Sequence, residues 1–225
     1  MLITEIEQRL RKHKPRSIDT SLPEAAVLVP LVTNNQGQAT DVILTRRATH
    51  LHKHSGEVAF PGGKREDQDQ NLIHTALRES EEEIDLNPAS VQILGTMGPV
   101  ISRFGIKVIP IIGSVPEGLS LNANVEELDR IFTVPLDFFI DQNNLQFDHW
   151  SMNEKSYSMP SYQFGEYLIW GLTAIMLVEF LNVGLNTTIP LDAPQFHVSH
   201  SYPQTRYQSD SRQPKPNQRN KAANT

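Results

Sequence analysis

Residues 78–83 read Arg-Glu-Ser-Glu-Glu-Glu, which puts four carboxylates within five positions. On a helix, at about 100° per residue, Glu79, Glu82 and Glu83 stand at i, i+3 and i+4 and form one patch, while Glu81 points elsewhere. Leu72, Ile73, Ala76, Leu77 and Ile84 have the same helical spacing, so a helix is expected over residues 71–84 with Glu83 at the margin of its apolar stripe. A carboxylate there is costly unless something neutralises it. Most glutamate runs are solvated faces, but like charges at i, i+4 repel each other. A divalent cation would convert that repulsion into binding. Mg²⁺ and Mn²⁺ favour carboxylate oxygens, and Mg²⁺ habitually keeps waters and takes phosphate oxygens to complete its shell. The patch therefore reads as a metal–phosphate site.

Ahead of it lies Phe-Pro-Gly-Gly-Lys-Arg-Glu-Asp, residues 60–67. Gly62 and Gly63 permit a tight turn and a close approach of backbone to an anionic ligand. Their carbonyls could complete a cation's shell, and Lys64 or Arg65 could meet a phosphate. Arg78 could orient the glutamates or make an ordinary helix ion pair, and spacing alone leaves both open. Arg46, Arg47, Lys53 and Lys107 are further candidates for phosphate contacts. His50, His52 and His54 alternate along a short stretch without the spacing of a zinc site, and are expected to line or flank the cleft. Trp150, Phe164, Tyr167 and Trp170 are expected as core or cover aromatics, or as a stacking surface for a base.

The elements that must hold these residues follow from patterning. Two β-branched apolar runs, residues 25–32 and 41–47, flank the turn-forming Asn34, Asn35 and Gly37 and predict a hairpin. After the helix at 71–84, strands are expected at 91–94, 106–113, 131–135 and 167–171, the last leading into a closing helix. This order implies an α/β fold, a mixed β-sheet sandwiched between helices (α/β/α). The 225 residues suit one domain with a tail: an N-terminal helical segment (1–21), the domain proper (22–185) and a tail (186–225) expected to be disordered. From Asn182 onward the chain carries five basic and two acidic residues, +3, which leaves −9 on the body out of a formal −6. An acidic protein is not expected to bind nucleic acid. Cysteine is absent, which excludes disulfides, thiol nucleophiles and Cys-ligated zinc. Residues 1–17 lack the apolar core of a signal or anchor, so a cytoplasmic protein without membrane attachment is expected.

The sequence also resembles a known family. The Nudix hydrolases carry Gly, five residues, Glu, seven residues, then Arg-Glu-apolar-x-Glu-Glu-x-Gly-apolar. Here Gly63 is followed at the expected distance by an acid, Asp69, and after one extra residue by Arg78 through Leu86, with Ser80 in the apolar place and Asp85 in that of Gly. Residues 43–63 resemble the signature of coenzyme A pyrophosphatases, with Leu44, Thr45, Arg47, Ala48, Gly56, Phe60, Pro61, Gly62 and Gly63 in register and His52 where Arg is usual. The resemblance covers roughly residues 22–181.

It implies a Nudix fold and a Mg²⁺- or Mn²⁺-dependent cleavage of the pyrophosphate of coenzyme A to 3′-phosphoadenosine 5′-phosphate and 4′-phosphopantetheine. By the same resemblance Glu79 and Glu83 are the chief metal ligands and Glu82 is a third or water-bridged one, Arg47 has the motif's support as a phosphate contact, and Glu127, rather than Glu126, is the loop carboxylate that assists metal or water. Arg78 is counted with the catalytic residues, and Gly62, Gly63 and Lys64 with Arg47 as substrate contacts. A homodimer is compatible with this reading. Two alternatives remain open at this stage: hydrolysis of another nucleoside diphosphate derivative (NADH, ADP-ribose, a dinucleotide polyphosphate), or a silent nucleotide-binding module.

Overall fold

The computed structural model describes residues 1–51, 55–152 and 155–191. The chain begins with α1 (Ile3–Lys12), whose Ile3, Ile6 and Leu10 are buried at helical spacing while Arg9, Arg11 and Lys12 face its negative C-terminal end. Strands β1 (Glu24–Thr33) and β2 (Ala39–Arg47) form the expected antiparallel hairpin. Its turn is set by the Asn34 carboxamide oxygen, which accepts from the N–H groups of Gln36 and Gln38, and by Gly37 at φ 72°. Short strands β3 (Val58–Ala59) and β4 (Gly62–Lys64) then pair with β2 and β1.

Helix α2 (Leu72–Ile84) falls one residue inside the expected span. It is followed by β5 (Gln92–Thr96), β6 (Val100–Ile101) and β7 (Lys107–Pro116), then by β8 (Leu128–Pro135). β7 runs parallel to β1 along its whole length and completes a mixed sheet in the order β3-β2-β1-β7-β5, with β8 beside β2. The last described elements are α3 (Leu136–Ile140), a separate antiparallel sheet of β9 (Leu145–Met152), β10 (Lys155–Phe164) and β11 (Tyr167–Ile169), and α4 (Gly171–Gly184). The β9–β10 hairpin was not expected, and α3 neither.

Alternation along β1 shows why the sheet carries helices on both faces. Ala25, Val29 and Leu31 join the core beneath α1 and α4, while Ala26 and Leu28 join the core beneath α2. The α/β/α layering is therefore observed. Helix α4 is apolar on nearly every side because it is wedged between sheet, α1 and β10. Its 14 residues, like every helix among those described, are too short to cross a membrane.

Two expected boundaries shift. The N-terminal helical segment is helical only over Ile3–Lys12 and packs into the same core as α4, because an amphipathic helix must bury its apolar stripe. Packed chain also continues beyond residue 185. Asn182 donates to the carbonyl of Ile189 and accepts from its N–H and from the Thr187 hydroxyl, each at 2.8 Å, and Ile189 is only 6% exposed. The tail expectation for residues 192–225 lies outside the described residues. Burying one isoleucine is worth about 1.5–3 kcal/mol. A chain ending at Leu185 should therefore be less stable by about 3 kcal/mol than one ending at Leu191 in denaturant unfolding; equal midpoints would show that residues 186–191 contribute nothing.

Candidate functional site

Helix α2 starts on a side-chain cap: the Asn71 carboxamide oxygen accepts from the N–H of His74. It ends on Asp85, whose φ of 57° is the left-handed conformation that glycine usually supplies. Asp tolerates it better than most residues, and its carboxylate accepts from Asn122 at 2.9 Å. Ser80, fully buried where the motif has an apolar residue, donates to the Ala76 carbonyl at 2.6 Å and leaves no unsatisfied hydroxyl. Both departures from the motif are thus accommodated by local bonds.

Gly62 and Gly63 lie on β4, opposite Val27 and Ala26 of β1. Gly62 has φ 151°, and a Cβ on it would strike the Ala26 carbonyl. A Cβ on Gly63 would fall on the carboxylate of Glu79. Gly63 therefore lets the Glu79 carboxylate press against the strand, and Gly62 lets the strand lie close against β1. Glu83, 5% exposed, accepts from the N–H of Gly62 at 3.0 Å.

Burial raises the Glu83 carboxyl to about 7; the negative charges of Glu127 and Glu79 add to this, while the Gly62 N–H and Arg47 oppose it. Glu79 is raised as well, first by burial and then by Glu82 and Glu127, against the pull of Arg78. Glu79, Glu83 and Glu127 thus repel one another, with Arg47 the cation that opposes this at Glu83 and Arg78 the one at Glu79. Glu127 is carried there by a loop stitched to the end of α2, in which Asn122 and Asn124 donate to the carbonyls of Ile84 and Glu83. Glu126 is exposed and takes no part in these couplings.

Arg78 is the hub of the helix. Its guanidinium binds Asp69 through Nε (3.0 Å) and Nη2 (3.1 Å), Glu79 at 3.0 Å, Glu82 at 3.0 Å and the Lys64 carbonyl at 3.1 Å. The orienting role left open by spacing is the one its bonds support. Asp69, for which the sequence reading named no role, is its anchor. Its side chain is fully buried and also accepts from Thr75 and the N–H of Glu66, and Arg78 above all holds its carboxyl far below the usual carboxylate range. Breaking such a buried pair by removing one partner costs about 3–5 kcal/mol. Its spacing from Gly63 was the only signal in the sequence.

Other candidates are accounted for as follows. Arg47 Nε is buried without a hydrogen-bond partner, whereas Arg46 is committed to Asp129 at 2.7 Å and Glu166 at 3.5 Å. Lys107 is held by Glu24 at 3.2 Å, and Lys64 is exposed. His50 is exposed; His52, Lys53 and His54, and the side chain of Trp150, lie outside the described residues. Tyr167 stacks on Phe132, and Phe164 packs edge-on against Phe138, so both serve as internal packing. A shallow depression of about 480 Å³ is lined by Arg65, Glu66, Asp67 and Gln68 and does not include Glu79, Glu82 or Glu83.

The donor set fits a hard divalent cation, since the oxygens of Glu79 and Glu83 are partly stripped of water and mutually repelling. Among the described residues, as the side chains stand, no three His, Asp or Glu enclose an ion. Glu82 is 57% exposed and turned to Arg78. A cation here would thus take few carboxylates and leave much of its shell to water and phosphate oxygens.

The sequence model described as "NUDIX domain" matches residues 22–146. The chain belongs to the Nudix family. It is 39% identical over 173 residues to the protein of Yersinia enterocolitica named "Uncharacterized Nudix hydrolase NudL", a match spanning 75% of this chain and 85% of that protein. It is 37% identical over 163 residues to the protein of the same name from Photorhabdus laumondii, spanning 72% and 86%. Among solved structures it is similar to "a Nudix Hydrolase from M. Smegmatis, RenU", with a TM-score of 0.43, 24% identity, and coverage of 53% of this chain and 74% of that one. This Nudix chain is a pyrophosphohydrolase, and Nudix hydrolases generally need divalent metal ions.

A carboxyl with a folded-state pKa near 7 binds more protons folded than unfolded between about pH 4.5 and 7, so it costs stability as pH rises through that window. Glu79 acts with the same sign, while the depressed Asp69 titrates below the window. The metal-free Nudix protein should lose up to about 3 kcal/mol from pH 4.5 to 7 through Glu83. Unfolding curves at several pH values check this: Glu83→Gln should flatten the loss, and an identical slope in the variant would remove Glu83 as its source.

Proposed function

We propose that this Nudix hydrolase is a cytoplasmic coenzyme A diphosphatase, cleaving the pyrophosphate of coenzyme A to 3′-phosphoadenosine 5′-phosphate and 4′-phosphopantetheine. The observation that carries the reading is that the signature of residues 43–63 and the Nudix helix meet in one place: Arg47 from the first faces Glu83 from the second, and Gly62 donates to that same carboxylate. Arg47 Nε, a buried donor without a partner, is suited to an anionic substrate, because leaving it unmade is costly.

Glu79 and Glu83 would hold Mg²⁺ or Mn²⁺, with Glu82 reaching it directly or through water. A cation so held would polarise the phosphoryl oxygens and lower the pKa of an attacking water. The rest of the work falls to the chain. Arg78 and Asp69 keep the Glu79 carboxylate against β4, Gly63 leaves room for it, and Arg47 and Lys64 bind the diphosphate. Glu127, next to both metal ligands, is suited to accept the proton of the attacking water.

Purified protein with Mg²⁺ or Mn²⁺ should release 3′-phosphoadenosine 5′-phosphate from coenzyme A faster than it cleaves NADH or ADP-ribose. Glu83→Gln should lower kcat by at least about 100-fold while the protein stays folded. Equal or faster turnover of the other substrates would overturn the substrate assignment, and an unchanged rate in the variant would overturn the metal assignment.

A further inference from the structure

We propose that the turn at residues 102–105, together with Lys107 and Arg65, forms the subsite for the nucleoside end of the substrate, with Phe104 stacked on the base and Arg103 facing a neighbouring phosphomonoester. The proposal rests on the coenzyme A reading and extends it from the bond that breaks to the half of the molecule beyond it.

The ladder of the sheet leads from the glutamates to this turn. Gly63, whose missing side chain makes room for Glu79, lies opposite Ala26, and Lys64 lies opposite Ala25. Next, the Arg65 N–H donates to the Glu24 carbonyl, Glu24 lies opposite Lys107, and Lys107 pairs with Ile101, from which the turn departs. With strands roughly 4.8 Å apart and roughly 3.3 Å per residue, the turn is on the order of 15 Å from Gly63. A nucleotide and one side chain span that gap. Glu24 and Lys107 also continue the alternation of Ala26, Leu28, Ile109 and Ile111, which all face the core beneath α2. They are therefore on the same face of the sheet as the glutamates.

Charge and shape suit an anionic, aromatic ligand. Lys107 (3.2 Å) and Arg65 (3.1 Å) share the single carboxylate of Glu24, and Lys64 and Arg103 are exposed beside them. This strip is positive on an acidic protein. Glu66 and Asp67 follow only in the loop that leaves toward α2. The turn itself is preset: the Ser102 hydroxyl oxygen accepts from the N–H groups of Phe104 and Ile106, its carbonyl accepts from Gly105, and Gly105 has φ 71°. It presents Phe104 at 56% exposure with the Arg103 guanidinium 4.8 Å from the ring centre. An exposed ring on a preset turn, with one guanidinium over it, is suited to base stacking beside a phosphate.

Steady-state kinetics on the full chain test this. Phe104→Ala should raise KM for coenzyme A about tenfold, from the loss of one base–aromatic stack, with kcat within about twofold, and Phe104→Trp should restore it. Arg103→Ala should reduce the preference for coenzyme A over 3′-dephospho-coenzyme A. If the wild-type protein fails to cleave coenzyme A, the substrate reading falls, and the same variants measured on ADP-ribose or NADH still test the base half of the subsite. Unchanged KM in Phe104→Ala for every nucleoside substrate that the wild type cleaves would overturn the base assignment, and an unchanged preference in Arg103→Ala would overturn the phosphate assignment.

Discussion

The carboxylate of Glu83 lies almost out of water, bonded to one backbone N–H of the glycine strand and crowded by two other acids. Holding it there constrains much of the domain. The strand facing it must carry glycines, since a side chain at Gly62 would strike β1 and one at Gly63 would strike Glu79. The helix must be pinned at both ends, hence the Asn71 cap and the left-handed Asp85. The loop bearing Glu127 must be tied to the helix it faces, hence the bonds from Asn122 and Asn124 to its last carbonyls. Each of these devices is small, and together they keep three like charges close in a folded chain.

Arg78 divides the acids around the helix into two groups. Asp69 is buried, doubly bonded to the guanidinium and held ionised, so its charge is spent on structure. Glu79 and Glu83 are raised instead of lowered, which leaves them costly as anions and available to a cation. Opposite shifts in neighbouring carboxyls are how one short segment separates anchoring from ligand-binding roles. Glu82, exposed on the far side of Arg78, lies between the two.

Much of this was legible in the sequence because periodicity encodes faces. The helical spacing of Leu72 to Ile84 gave α2 within a residue, and the β-branched apolar runs gave the β1–β2 hairpin and β5, β7, β8 and β11. The three-glutamate patch was visible, but the arrangement of its members was not: whether Glu82 turns to Arg78 or to Glu83 depends on rotamers that spacing does not set. Asp69 was visible only as a spacing, since its role depends on Arg78 reaching back nine residues. The β9–β10 hairpin was missed because residues 145–164 are polar and carry Pro160, and a strand in a small separate sheet needs no long apolar run. Residues 186–191 looked like tail because they carry only two apolar anchors, Ile189 and Leu191, and Ile189 is held by Asn182 within α4, a contact between a helix and the chain beyond it that composition does not reveal.

A divalent cation would relieve the repulsion among these buried carboxylates. Calorimetric titration of Mn²⁺ into the metal-free protein at pH 6.5, in buffers of different ionisation enthalpy, tests this, because a ligand carboxyl with a pKa near 7 must release its proton on binding. Mn²⁺ should bind with release of roughly one proton, and both binding and release should be lost in Glu83→Gln. Binding that releases no proton, or that is unchanged in the variant, would contradict it.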